Sequence, residues 1–179
     1  MLTPAATMLI VTDIQGNLAR AMHERETLYR NAGILIDGMK VLGVPILWVE
    51  QYPQGLGATI PEIASHLEGL SPLPKRSFSS LRDPEIHAAF NRFGRQKVVI
   101  CGIETHVCVY QTAMDIIATG VEVHVPVDAV SSRTALNRQV GLDKIARAGG
   151  HHTSVETVLF ELLATSEAPA FKDIIKLVK

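Results

Sequence analysis

Five short apolar runs constrain the fold of this chain most strongly. They are MLIVT (residues 8–12), VPILWVE (44–50), KVVICG (97–102), VEVHVPV (121–127) and, more weakly, GHHTS (150–154). The first three runs are continuous in apolar residues instead of alternating apolar with polar residues, which is typical of strands buried on both faces. The sequence therefore predicts a sheet that is covered by helices on both sides.

Segments with helical character separate these predicted strands, at residues 25–42, 84–92, 107–119 and 134–148, and a fifth follows at the C-terminal end. Strands that alternate with helices in this way predict an α/β fold, an open, doubly wound, mostly parallel sheet of Rossmann-like architecture. Ligands bind such sheets beyond the carboxyl ends of the strands, where the strand order reverses. The first residues after each strand are therefore the candidates for function.

Composition and motifs exclude several classes of function. The formal net charge of −1 over 179 residues, which we expect to form one domain (1–179), provides no basic surface for nucleic acid or an anionic membrane. The apolar stretch of MLTPAATMLIVTDIQ is too short for a signal peptide or a membrane span. Two cysteines make no disulfide framework, so a reducing cytoplasm is the expected compartment.

Sequence motifs for nucleotide binding and for serine hydrolysis are missing. DIQGNLA, after the first strand, is not a G-x-G-x-x-G loop, and the chain has neither a P-loop lysine motif nor a G-x-S-x-G elbow. We therefore expect a small-molecule substrate and no cofactor.

Cys108 lies in the polar stretch GIETHVCVYQTA (102–113), after the third strand and in the first turn of the next helix. Free N–H groups and the helix dipole favour a thiolate there, and a nearby cation lowers a cysteine pKa from about 8.5 to roughly 3.5–7.5. The same N–H groups can hold an oxyanion. The alternative is a small residue that packs the helix on the sheet. Cys101, inside the strand, fits an ordinary buried thiol.

Two charged residues are the first candidates to act with a nucleophilic cysteine. Asp13 directly follows the first strand, where a carboxylate is either a turn residue or, if it meets Cys108, a group that exchanges a proton with the thiol. Lys75 lies in the proline-rich loop PLPKRSFSS (72–80), and Arg76 beside it serves equally well by composition.

Other candidates have ordinary structural explanations. Asp128 fits a cap and turn, and His106 is a minor alternative base because residues two apart point to different sides of a turn. His151 and His152 are adjacent, without a third ligand at metal-site spacing, so a position at the surface or at a strand end explains them better than a metal site.

VTDIQ, the lysine of PLPKRSFSS and VVICGIETHVCV together resemble the isochorismatase-like cysteine hydrolase superfamily, which includes nicotinamidases, N-carbamoylsarcosine amidases and isochorismatases. The resemblance runs from about residue 7 to the C-terminus, and G-I-x-T-x-x-C-V followed by Q-T-A is its most specific part. WVEQYPQGLG and VDAVSSR are most similar to the branch called isochorismatase domain-containing proteins. The isochorismatase-like hydrolase fold is thereby implied.

The same resemblance implies the roles of the site residues. Asp13 matches the acid/base aspartate of the family, Lys75 its lysine and Cys108 its nucleophile, which together form a catalytic triad. A non-proline cis peptide bond is implied between Ile103 and Glu104, with the N–H groups of Glu104 and Cys108 as the oxyanion hole.

The loop after the second strand departs from the nicotinamidase pattern. Nicotinamidases carry an Asp-x-His metal cluster there, whereas this chain has Glu50, Gln51 and Tyr52, so we expect no catalytic metal. Gln51 and Tyr52, with Gln15 after the first strand, are candidate residues of the substrate pocket. Glu104 is bulkier and more acidic than the small residue of nicotinamidases, which argues against a nicotinamide-like substrate.

The function implied is hydrolysis of a small amide or related carbonyl–nitrogen substrate through an acyl-cysteine intermediate. Isochorismatases cleave a vinyl ether and lack a cysteine at the position of Cys108, so ether hydrolysis is the alternative within enzymes. A non-catalytic interaction protein on the same fold is the alternative outside them. Family members commonly form homo-oligomers. The apolar stripe of the C-terminal helix offers a surface for one or packs on its own subunit; it consists of Phe171, Ile174, Ile175 and Val178.

Overall fold

Seven strands form one sheet in the computed structural model, which describes residues 1–179. In chain order they are β1 (Thr7–Thr12), β2 (Ile46–Gln51), β3 (Leu73–Lys75), β4 (Lys97–Ile103), β5 (Glu122–Pro126), β6 (Val130–Ser131) and β7 (His151–Thr153). The order across the sheet is β3-β2-β1-β4-β5-β7, and β6 pairs with the carboxyl end of β4. All these pairs are parallel, which confirms the predicted doubly wound α/β sheet.

Nine α-helices connect and cover the strands. They are α1 (Gly16–Arg20), α2 (Arg25–Val41), α3 (Pro53–Leu56), α4 (Pro61–Ala64), α5 (Pro84–Phe93), α6 (Tyr110–Ala118), α7 (Ala135–Arg147), α8 (Val155–Leu163) and α9 (Phe171–Val178). A π-helical turn, Thr105–Val109, precedes α6.

Helix α8 is the longest element that the sequence analysis did not predict. Its buried residues recur at helical spacing, and the Ser154 side chain caps it by accepting a hydrogen bond from the Thr157 N–H. A serine before an apolar run is a helix start signal, so the sequence did carry the information.

The core consists of two apolar layers, one on each face of the sheet. Along β1, Leu9 and Val11 belong to the layer that contains α2 and α8, whereas Met8 and Ile10 belong to the layer that contains α5 and α6. Because successive strand residues point to opposite faces, a strand covered on both sides must be apolar throughout. This explains the continuous Val and Ile runs.

The apolar stripe of α9 packs on its own subunit. Ile174 is fully buried, and Phe171 and Val178 contact the same core layer as α2 and α8. Of the two alternatives for this stripe, packing on its own subunit therefore describes Phe171, Ile174 and Val178, whereas Ile175 is half-buried and is not part of that core layer. The homo-oligomer itself stays a prediction.

None of the helices has the length and apolar character needed to cross a bilayer.

Candidate active site

The carboxyl ends of β1 and β4 lie side by side at the point where the strand order reverses. Thr12 at the end of β1 pairs with Gly102 in β4, so Asp13 and the turn that carries Cys108 leave the sheet together. Gly102 has φ +124°, and a side chain there would overlap the backbone of Thr12. A glycine at this position therefore allows the two strand ends to approach closely.

Lys75 reaches this point from a strand, not from the predicted irregular loop. β3 pairs with β2 so that Lys75 lies beside Gln51. The Lys75 side chain is 0% exposed, and its Nζ lies 2.7 Å from Asp13 Oδ2 and 2.6 Å from Gln51 Oε1. Arg76, the alternative by composition, is exposed and stacks its guanidinium 3.7 Å from the ring centroid of Tyr52.

Asp13 combines an ion pair with an oxygen that is free to react. Its residue is 2% exposed and adopts φ 57°, a left-handed conformation that aspartate tolerates. Oδ2 accepts the bond from Lys75, whereas Oδ1 is buried without a hydrogen-bond partner. Burial raises the pKa of this carboxyl, and the adjacent Lys75 ammonium opposes the rise.

Cys108 lies in the π-helical turn and is 7% exposed, so only a narrow access leads to its sulfur. Burial, and then the nearby Asp13 carboxylate, raises the pKa of this thiol to about 12, although Lys75 acts in the opposite direction. The expectation of a lowered pKa does not hold, because burial disfavours the thiolate more than the neighbouring cation favours it. The protonated thiol is therefore favoured over the thiolate.

The peptide bond between Ile103 and Glu104 is cis. The Glu104 carbonyl accepts hydrogen bonds from the N–H groups of Val107 and Val109, whereas the Glu104 N–H donates to no backbone or side-chain acceptor. The Glu104 carboxylate is bound by Arg133, whose Nε donates a hydrogen bond to Oε1 at 3.0 Å. A free N–H beside the cysteine turn is a suitable donor for an oxyanion.

Helix α7 fixes the cysteine turn from the other side. A Cβ added at Gly141 would lie 2.6 Å from the backbone of Thr105, so the glycine permits direct contact between α7 and the turn. His106, in the same turn, already has a hydrogen-bond partner, because its Nδ1 lies 3.0 Å from Ser132 Oγ. This contact leaves Asp13 as the better-placed base.

Gln15 does not fit the candidate substrate pocket. It is 0% exposed, its Nε2 donates to the carbonyls of Gln51 and Gly57, and its Oε1 accepts the Gln51 N–H. Two of these bonds fix the position of Gln51, which in turn contacts Lys75, and the third reaches the backbone of Gly57. Tyr52, 39% exposed, lies at the surface near Arg76, where a substrate can reach it.

Two acidic residues near strand ends have structural partners. Glu50 Oε1 accepts bonds from the N–H and hydroxyl of Thr59, each at 2.7 Å. Asp128 Oδ1 accepts the N–H of Val155 at the start of α8, in agreement with its interpretation as a cap. Ser132 and Arg133 were not predicted from the sequence. Both follow the fourth predicted strand, so the criterion of a position after a strand could have identified them.

We predict that alkylation will distinguish the two free cysteines. Cys101 is 0% exposed, whereas Cys108 is 7% exposed, so iodoacetamide should modify Cys108 alone in the folded protein. With a pKa of about 12 for Cys108, its rate should rise about tenfold per pH unit through neutral pH. Lys75→Met should slow alkylation about 10-fold or more at each pH, and Arg76→Met, at an exposed position, should leave it unchanged. Faster labelling of Cys101, seen by peptide mapping, would contradict this assignment.

Comparison with known proteins gives a consistent family signal. The family model for the isochorismatase domain matches residues 7–157. Isochorismatase domain-containing protein 1 of Danio rerio is 39% identical over 180 residues, which cover 99% of this chain and 62% of that protein. The secreted isochorismatase effector Isc1 of Phytophthora sojae is 38% identical over 182 residues, covering 99% of this chain and 87% of that protein.

Solved structures agree with the sequence relatives. A structure described as MAR1 ribonuclease from Caenorhabditis elegans superposes with a TM-score of 0.92 at 34% identity, covering 99% of this chain and 91% of that one. The YcaC gene product of Escherichia coli, described as an octameric hydrolase of unknown specificity, superposes with a TM-score of 0.89 at 20% identity, covering 99% and 86%. At that identity the likeness shows the fold alone.

Proposed function

Since this chain belongs to the isochorismatase family, and within it to the branch of isochorismatase domain-containing proteins, we propose that it is a cysteine-dependent hydrolase of a small amide or related carbonyl–nitrogen substrate. One observation carries the proposal: the buried Lys75–Asp13 ion pair, 2.7 Å long, lies close enough to Cys108 for both charges to influence the pKa of its thiol. Apolar residues often stabilise a fold as well as a buried ion pair does. The pair beside a thiol is therefore better explained by chemistry than by folding.

In the proposed first half-reaction, Asp13 is the base. Its unpartnered Oδ1 accepts the proton of the Cys108 thiol as the sulfur attacks the substrate carbonyl carbon. The C–S bond forms and the carbonyl oxygen becomes an oxyanion, to which the free N–H of Glu104 donates, together with the N–H of Cys108. The oxyanion collapses, the C–N bond breaks, and Asp13 returns the proton to the leaving nitrogen.

In the second half-reaction, Asp13 removes a proton from water, and the resulting hydroxide attacks the thioester carbon. The C–S bond breaks, the acid product leaves, and the proton returns to the cysteine sulfur. Lys75 favours the ionised form of Asp13 against the effect of burial and stabilises the developing thiolate, because its ammonium acts on both groups. Gln51 holds that ammonium from the other side.

The surroundings of the sulfur limit the substrate. Cys108 is only 7% exposed, which favours a small acyl group. Two arginine-containing pairs involve the chain neighbours of the site residues, Arg133 with Glu104 and Arg76 with Tyr52, so the surroundings of the site include polar and charged groups. We therefore propose small polar amides and ureides as the first compounds to test.

A mass-spectrometric trapping experiment tests the proposal. The protein is mixed with a panel of small amides and ureides, quenched in acid and mapped by peptide. We expect an added acyl mass on the peptide that contains Cys108, and none in Cys108→Ala. An ether hydrolase needs no acyl-cysteine intermediate. The same holds for an RNA hydrolase, the activity named in the description of the Caenorhabditis elegans structure. Cleavage of a vinyl ether or of RNA that survives in Cys108→Ala would therefore overturn the proposal.

If no compound is cleaved and Cys108 stays unmodified, the result would favour a non-catalytic interaction protein.

We further propose that the family domain extends over residues 1–179. We also propose that the protein works in a reducing cytoplasm, because both cysteines are free and the mechanism needs a reduced thiol. Among the relatives, Isc1 of Phytophthora sojae is described as secreted.

A further inference from the structure

A second cluster of chemically active side chains lies at the other end of the strands. Glu122 is the first residue of β5, His124 is the third, and His151 is the first of β7. β5 and β7 pair in parallel so that His124 lies beside His151. Residues 122 and 124 are two apart in a strand, so their side chains point to the same face. The sheet register thus brings the three side chains together although they are far from Cys108 in the fold.

The distances in this cluster suit a shared ion. His124 Nε2 lies 2.5 Å from Glu122 Oε1, His151 Nε2 lies 3.9 Å from the same oxygen, and the ligand atoms of all three residues lie within 4.8 Å of one another. Ligand atoms around a tetrahedral zinc ion lie about 3.3 Å apart, given bonds of about 2.0–2.2 Å. Small side-chain rotations therefore bring the three atoms to bonding distance.

Hydrogen bonds already orient two of these groups. Lys97 Nζ donates to the other carboxylate oxygen of Glu122 at 2.9 Å. His124 Nε2 and Glu122 Oε1 are hydrogen-bonded to each other, and a bound ion would replace this bond. Carboxylate oxygens and imidazole nitrogens are both ordinary zinc ligands.

We propose that Glu122, His124 and His151 bind one Zn²⁺ ion at the edge of the sheet. Two imidazoles and one carboxylate are a frequent zinc ligand set, with the fourth position left for water. On binding, the ion takes the lone pair of His124 Nε2, so the ring carries its single proton on Nδ1. Lys97 keeps its bond to Glu122 and orients the ligating carboxylate, as outer partners of metal ligands commonly do.

The adjacent His152 is excluded from the site, although the sequence presents the two histidines as equivalent. Its Nε2 lies 2.8 Å from the carbonyl oxygen of Leu142, in the direction of α7. The third ligand that the linear spacing lacked comes from another strand. A groove of about 570 Å³ gives solvent access to the cluster, and Glu161 on its wall adds negative charge that attracts a cation.

The proposed ion would stabilise the edge of the sheet formed by β7. β7 has three residues and pairs only with β5, so few hydrogen bonds hold it. A bridge from His151 to two residues of β5 stabilises this pairing, because an ion that binds only the folded state shifts the equilibrium towards it. The site is thus separate from the cysteine chemistry.

The test uses the tag-free full chain, stripped with a chelator and titrated with Zn²⁺ in competition with a chromogenic chelator. We expect one ion per chain and a higher Tm with zinc. His151→Gln should weaken binding about 10-fold or more and remove the rise in Tm, since even partners outside the ligand shell are worth 10- to 100-fold. Glu122→Gln and His124→Gln should act in the same way, whereas His152→Gln, the matched control, should bind zinc like the wild type.

Cobalt(II) provides a second readout that does not depend on folding of the variants. Its spectrum should lack a thiolate-to-metal charge-transfer band and should be unchanged in Cys108→Ala. The absence of saturable binding to the wild type would overturn the proposal. So would zinc affinity in His151→Gln equal to that of the wild type, or loss of the metal in Cys108→Ala. Because turnover is not the readout, these results are independent of the proposed hydrolase function.

Discussion

Cys108→Ala is expected to reduce kcat/KM at least about 10⁴-fold on any carbonyl–nitrogen substrate, because loss of the nucleophile of a catalytic triad costs this much or more. The alanine removes the atom that forms the acyl intermediate while leaving the backbone N–H of residue 108 in place. Substrate binding should therefore change little, and the loss should appear in kcat. Steady-state kinetics together with a substrate-binding measurement in the variant separate the two effects.

Cys101→Ala is the matched control for this substitution. Cys101 is fully buried inside β4 and belongs to the apolar core, so its replacement should lower the free energy of unfolding by about 1–3 kcal/mol. It should leave kcat/KM within about twofold at a temperature where the variant is folded. Equal losses of activity in both variants would show that Cys108 acts through packing and would remove the nucleophile assignment.

Lys75→Met is expected to reduce both activity and stability. The variant leaves the Asp13 carboxyl buried without its cation, and removing one partner of a buried pair costs about 3–5 kcal/mol of unfolding free energy. The pKa of Asp13, already raised by burial, should rise further because the lowering effect of Lys75 is lost. A higher pKa favours the protonated carboxyl, which cannot act as the base, so kcat should fall about 10³-fold.

The pH dependence of this destabilisation follows from the raised pKa of Asp13. Between the ordinary pKa of 3.8 and the higher value in the folded variant, the folded state binds more protons than the unfolded state. The stability of Lys75→Met should therefore rise as pH falls through this window and be lost again as pH increases. Denaturant unfolding at several pH values, compared with wild type, measures the difference.

The double variant Asp13→Asn/Lys75→Met separates charge from packing. It removes both charges, so it should recover most of the stability lost in Lys75→Met while remaining inactive. Arg76→Met, at the exposed neighbouring position, should change stability by less than about 0.5 kcal/mol. If the double variant is no more stable than Lys75→Met alone, the ion pair does not control the energetics of this site.

The strands and the position of the site were accessible from local sequence patterns. β1, β2 and β4 are Val- and Ile-rich runs that need burial on both faces, and only a sheet between two helical layers provides it. Once the sheet is parallel, Asp13 and the turn after β4 must leave it at the same edge. Their proximity thus follows from topology alone.

What the sequence did not reveal depends on tertiary contact. β3 has three residues, one of them proline, and becomes a strand because β2 pairs with it, so no local pattern predicts it. The pKa of Cys108 was predicted in the wrong direction because burial is a property of the surroundings and not of the helix turn. The proximity of Glu122 and His151 likewise appears only through the register of β5 and β7.

The location of Lys75 has a consequence for how the protein loses activity. β3 is the outermost strand on its side of the sheet and pairs only with β2, so it should detach in a local opening that leaves the central strands intact. Because this opening also breaks the buried Lys75–Asp13 pair, amide hydrogen exchange in β3 would be faster than in β1 and β4, which would exchange only on complete unfolding, but slower than in an unanchored edge strand. The proposed catalysis and the native sheet would thus have separate thresholds, and mild denaturation would reversibly switch off the former while the latter persists.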